Sequence, residues 1–266
     1  LDRADSSKMI KTQFRLLVRF CHAERTTDTL TTNNTSTQFQ FTDVPSLGSL
    51  VTPAEAKKKP LYNWFVYPHS YSPSLVWYLI DYLQITGQKR ILDPFAGAGT
   101  TLLAAKERGI SATGIDILPI SGGLIGAKVA HYSLSHLKKT INRIRKRLST
   151  PIFEENGRTF EQLSRMVDAP KSILARAFHP NTLKAIARIK TLIEKEASDF
   201  DEYYFALVAL LHVLEAHSLT LKAGGWLKIT ELPKNSGNIE ASFLARIEQM
   251  YDEVCDFQRG RRKGAW

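Results

Sequence analysis

Cysteine is nearly missing from this chain. Only Cys21 and Cys255 occur in 266 residues, with no Cys-x-x-Cys pair, which excludes a disulfide framework and a zinc ribbon and fits a reducing cytoplasm. Long hydrophobic runs are also absent. The most apolar stretch, Phe205 to Leu214, is interrupted by His212 and is too short to span a bilayer, and the N-terminus lacks the apolar core of a signal peptide, so no membrane is expected as a partner. Acids are scarce relative to bases. The 26 Asp and Glu against 36 Lys and Arg give a net charge of +10 and a pI near 9.6, which calls for an anionic partner; on charge alone a nucleic acid or an acidic surface qualifies. His131 and His136 stand five residues apart, a spacing that points them to different sides of a helix, and no third ligand accompanies them, so no metal site is expected. Finally, the eleven prolines include no Pro-Pro dipeptide, and no internal repeat is visible.

What the chain does contain is concentrated between residues 91 and 117. Ile91 and Leu92 fit a buried strand ending at Asp93; Gly97 and Gly99 allow a tight turn with close backbone approach to a ligand; Thr100 to Arg108 is helix-forming. A second strand, Ala112 to Ile117, places Asp116 near its end, where a carboxylate can grip ribose hydroxyls. A phosphate loop would need Gly-Lys-Ser or Gly-Lys-Thr, but Gly99 is followed by Thr100 and Thr101. A dinucleotide fingerprint would want Gly or Ala where Leu102 stands, and Asp93 would repel a pyrophosphate. S-adenosylmethionine carries an ammonium, a sulfonium and no phosphate, so the acid Asp93 and the aromatic Phe95 are sensible neighbours for it. The bland alternative is an ordinary strand-to-helix turn.

The string Asp93-Pro94-Phe95-Ala96-Gly97-Ala98-Gly99-Thr100-Thr101 resembles the cofactor motif of DNA methyltransferases that modify the exocyclic amine of adenine or cytosine. Upstream, Asn63 to Pro73, followed by Leu75 and Val76, resembles the segment that in this family precedes the glycine motif and helps hold the methionine end of the cofactor. The resemblance implies an α/β fold with a Rossmann-like doubly wound methyltransferase sheet and a helical inserted or second region. It implies S-adenosylmethionine as cofactor and DNA as partner. Asp93 would face the methionyl ammonium, and the backbone from Pro94 through Phe95, Ala96 and Gly97 to Gly99 would line the cofactor with Thr100 and Thr101. Asp116 would hold the ribose, Ile117 next to it counts among the cofactor-binding residues, and Tyr67, Ser72 and Pro73 come from the upstream segment.

The family also needs Asp, Asn or Ser followed by Pro-Pro and then Tyr or Phe, because a conjugated amine is a poor nucleophile and must be gripped by acceptors while an aromatic stacks on the flipped base. That motif is absent, and the residue acting on the target amine is unassigned. Either the chain is the cofactor-binding part of a longer or two-part enzyme, or it uses an unfamiliar site. The first is the reading adopted, since the chain begins at Leu1 rather than Met and runs out at Arg261 to Trp266 with no sign of a finished sheet. A methyltransferase acting on a guanine amine in RNA, and a non-catalytic subunit that binds both S-adenosylmethionine and nucleic acid, are the alternatives.

Four regions are expected: an irregular segment at 1–59, a cofactor core at 60–125, a helical region at 126–222, and a short strand with a C-terminal helix and basic tail at 223–266. Within the first, Leu16 to Phe20 suggests a strand or helix turn and Thr26 to Thr37 a loop. Helices are predicted at Leu75 to Tyr82, Gly122 to Leu148, Leu174 to Ala177, Thr182 to Lys195, Asp201 to Leu221 and Glu240 to Phe257, with a turn at Gly224-Gly225 and an extended segment at Trp226 to Ile229. Trp77 and Tyr78 read as packing residues. Lys138, Lys139, Arg143, Arg145, Lys146 and Arg147 interleave with Leu137, Ile141 and Ile144 at helical spacing, giving one apolar and one cationic face; the cations are either a solvated surface or a contact for nucleic-acid phosphates.

Overall fold

A computed structural model describes residues 47–150, 176–223 and 226–262. The elements expected at Leu16 to Phe20 and Thr26 to Thr37, the first half of the Leu174 to Ala177 helix, the Gly224-Gly225 turn and the end of the basic tail lie outside them.

After a 3-10 turn at Tyr62–Trp64, helix α1 (Pro73–Tyr82) leads to strand β1 (Arg90–Asp93), helix α2 (Thr100–Glu107) and strand β2 (Ser111–Gly114). The strands pair in parallel, Ile91 opposite Ala112 and Leu92 opposite Thr113, which makes β1, α2 and β2 one βαβ unit. Alternation sends Ile91 and Ala112 toward Val76 and Ile80 of α1 and Ala104 and Ala105 of α2, where they close a small core. Trp77 packs against this core, with Lys59 Nζ lying 4.1 Å from its ring centroid. Tyr78 does not share that role: it is exposed and stacks on Tyr82, because its place on α1 faces away from both strands.

The rest of the chain is helical: α3 (Pro119–Val129), α4 (Leu134–Leu148), α5 (Pro180–Glu196), α6 (Phe200–His217) and α7 (Ile239–Arg262), with an antiparallel hairpin of β3 (Thr220–Ala223) and β4 (Trp226–Ile229) between the last two. Helix α6 is apolar nearly all round, and it is accordingly buried against α3, α5 and α7. Asp199 starts it, its carboxylate accepting from Glu202 N at 2.8 Å. Glu202 is itself buried and accepts from Thr140 of α4. The fold is thus mixed α/β and mostly helical; the parallel sheet in the described residues has two strands, fewer than a doubly wound sheet requires. No described helix is long and apolar enough to cross a membrane.

Further sequence expectations need correcting: the strand expected over Ala112 to Ile117 ends at Gly114, so Asp116 lies in the loop beyond it, and Leu92 of the strand expected to be buried is exposed. The helix expected from Gly122 to Leu148 is two helices, broken at 130–133, because Tyr132 turns inward to donate to Ala127 O while Gln258 of α7 bonds its backbone N–H and carbonyl. The expected Asp201 to Leu221 helix stops at His217, after which the chain extends into β3.

The cationic face of α4 largely meets acids. Lys138 and Arg145 both pair with Glu248 of α7, and Arg143 and Arg147 with Glu196 of α5, which leaves Lys139 and Lys146 as exposed cations of that stripe. These partly exposed pairs contribute little stability individually, but they turn four of the six cations toward neighbouring helices.

Candidate cofactor site

The turn between β1 and α2 is built on two carboxylates. Asp93, buried at the end of β1, accepts from Phe95 N (3.0 Å) through Oδ1 and from the Tyr71 hydroxyl (3.0 Å) through Oδ2. The same hydroxyl lies 2.5 Å from Thr101 Oγ1 on the first turn of α2. Burial, and then the Asp93 charge working against the Thr101 hydrogen bond, pushes the Tyr71 phenol up to about 12. Tyr71 therefore stays a neutral donor that ties the upstream segment to the glycine turn. Tyr71 lies inside the Asn63 to Pro73 segment but carries no site role in the sequence reading, and its place two residues before Pro73 is the available signal.

Asp116 is the second carboxylate. Its Oδ2 accepts from Gly97 N (2.7 Å), and its Oδ1 from Leu118 N (2.8 Å) and Ser121 Oγ (2.9 Å). The acid beyond β2 thus holds the turn beyond β1. Burial raises its carboxyl, but the bonds from Leu118, Gly97 and Ser121 outweigh that and hold it below the ordinary carboxylate value. A depressed folded value contributes stability that is complete above the ordinary carboxylate range and is lost as pH falls through the folded value. The gap in melting temperature between the protein and Asp116→Asn should be widest near neutrality and narrow in acid; a pH-independent gap would contradict this.

Gly97 and Gly99 have positive φ, 51° and 81°. Beyond that backbone requirement, a Cβ on Gly99 would lie 2.8 Å from Ile125 Cγ1 of α3, while one on Gly97 would touch the Tyr67 ring at 3.4 Å. Gly99 fits α3, and Gly97 fits Tyr67. The structure therefore brings Tyr67, Asp93, Gly97, Thr101 and Asp116 around one turn, with Ala96, Gly99 and Thr100 buried beneath it and Pro94 exposed. Phe95 and Ile117 are 86% and 90% exposed, large apolar side chains left bare on the two loops. Ser72 is occupied differently: it is buried and its hydroxyl donates to Thr52 O at 2.7 Å, while Pro73 is buried at the first position of α1. Behind the turn, Lys128 of α3 donates to Ala98 O at 3.0 Å. Burial pushes its amine down to about 7.

The sequence is 34% identical over 172 residues to the type II methyltransferase M.AvaI of Nostoc sp. and to that of Anabaena variabilis, covering 65% of this chain and 34% of each relative. It is 30% identical over 182 residues to the type II methyltransferase M.BsoBI of Geobacillus stearothermophilus, covering 67% of this chain and 33% of that protein. The chain is distantly similar to type II methyltransferases. It spans about a third of the length of these methyltransferase relatives. No family model and no solved structure matches.

Proposed function

We propose that the chain is the S-adenosylmethionine-binding part of a DNA methyltransferase acting on an exocyclic amine of adenine or cytosine. The observation that carries this reading is the pair of carboxylates, Asp93 and Asp116, built into a glycine turn whose nearest cation, Lys128, donates to backbone carbonyls. Such a turn suits a cationic cofactor that has no phosphate. Similarity to type II methyltransferases supports the same choice. When bound, S-adenosylmethionine supplies an electrophilic methyl group on its sulfonium.

The chain's own residues bind and orient. Asp116 retains lone pairs beyond those used by Gly97, Leu118 and Ser121, and these accept from ribose hydroxyls. Asp93, fixed by Phe95 N and Tyr71, supplies negative charge for the methionyl ammonium. Phe95 and Ile117 offer the apolar surface that a purine ring would cover.

A second polypeptide, or a further segment of the same one, supplies the group that grips the target amine. Support comes from the sheet. Arg90, Leu92, Ser111 and Thr113 alternate onto its other face and are all exposed, Leu92 by 62%, whereas parallel sheets are ordinarily covered on both faces. Strands and helices from the remaining methyltransferase length would cover that face and complete a Rossmann-like doubly wound sheet.

The test is calorimetry with S-adenosylmethionine, then transfer of labelled methyl to unmethylated DNA by the chain alone and with the rest of the methyltransferase length added, using transfer RNA in parallel. Cofactor binding by the chain alone, and DNA methylation only after addition, are the expected results. Transfer to RNA instead would overturn the substrate, and failure to bind would overturn the cofactor. DNA methylation by the chain alone would show that it carries its own amine site.

A further inference from the structure

Lys128 is 3% exposed, in the last turn of α3, and no carboxylate lies within ion-pair distance of it among the described residues. Burying an ammonium without a counter-charge is costly, so its neighbours have to supply the compensation. They do so one for one. Its three N–H bonds meet three backbone carbonyls: Tyr62 O at 3.2 Å, Phe65 O at 2.8 Å and Ala98 O at 3.0 Å. Two of these bracket the 3-10 turn that leads to Tyr67, and the third lies between Gly97 and Gly99, both of positive φ. Tyr67 and Gly97 are in turn close enough that a single added methyl would bring them into contact.

We propose that Lys128 is a positioning residue for the cofactor site: it fixes the glycine turn against the Tyr62 to Tyr67 segment, so that both walls of the pocket are set before the ligand arrives. The inference rests on the S-adenosylmethionine reading for its ligand, but the positioning itself is measurable without one. A buried lysine that only filled space and saturated carbonyls would affect stability and leave the turn unchanged.

The decisive variant is Lys128→Met, which keeps the length and apolar body of the side chain and removes all three donors. Two readouts are taken on the whole chain, amide hydrogen exchange without ligand and S-adenosylmethionine affinity by calorimetry. Exchange across 96–101 and 62–67 should accelerate about tenfold relative to α6, and affinity should fall about tenfold, with helical content retained. Unchanged exchange at both segments in a folded variant would overturn the proposal, whatever the affinity does. If the wild-type protein itself fails to bind S-adenosylmethionine, the ligand assignment falls and the exchange result still decides the role of Lys128. Should Lys128→Met not fold, the wild-type side-chain ammonium resonance in a 15N-lysine sample decides: a signal protected from solvent that shifts on adding S-adenosylmethionine supports positioning, and one that does not shift overturns it.

Discussion

Gly123→Ala should lower the melting temperature by roughly 10 °C, a loss of about 3 kcal/mol or more. A Cβ at this position would lie 1.8 Å from Cε1 and 2.0 Å from Cδ1 of Tyr204, where α3 crosses α6. The ring has little room to swing aside. Tyr204 is buried, and Phe200 and Tyr203 flank it with ring centroids at 4.4 and 5.1 Å. A helix therefore has to part from a helix, or a packed aromatic cluster has to rearrange, and either costs more than the small gain in helix propensity that alanine brings. Combining the substitution with Tyr204→Ala tests the cause, since the double variant should lose less than the sum of the two single losses. A single variant that melts like the parent would show that the two helices do not meet as described.

Asp116→Ala should reduce affinity for S-adenosylmethionine about a hundredfold, read by calorimetry. The effect is expected to exceed the loss of ribose contacts alone, because the substitution also removes the acceptor of Gly97 N and frees the Leu118 and Ser121 donors. Asp116→Asn separates the contributions. It retains one oxygen for Leu118 and Ser121 but turns an amide toward Gly97 N–H, so it should bind worse than the parent while melting above Asp116→Ala. Unchanged affinity in Asp116→Ala would remove this residue from the site.

Much of the βαβ unit was legible because its signals are local: an apolar strand ending in an acid, glycines where φ must be positive, helix formers directly after. Helices α1, α5 and α7 likewise follow from apolar spacing, with bounds shifted by a few residues at one or both ends. What sequence spacing could not supply were partners distant in the chain. The break before α4 depends on Gln258, more than a hundred residues away, and the neutralisation of the basic stripe depends on Glu196 and Glu248. At the candidate site, the sequence marks the glycines of the turn and the two acids, whereas it gives no sign of the hydroxyl that joins Asp93 to Thr101 or of the amine that meets three carbonyls. Tyr71 stands in a run crowded with aromatics, and a lone lysine on an apolar helix gives no hint that it points inward.

Helix α2 belongs to both cores: Leu103 is buried with Trp64, Leu124 and Phe205 in the helical body, while the adjoining Ala104 and Ala105 are buried against α1 and the strands. The two halves consequently cannot melt in turn, since losing either one strips a face from the same two turns of helix. Heat or denaturant should reveal a single cooperative transition across the described helices and strands, and a small molecule seated at the glycine turn should raise the melting point of helices it never touches.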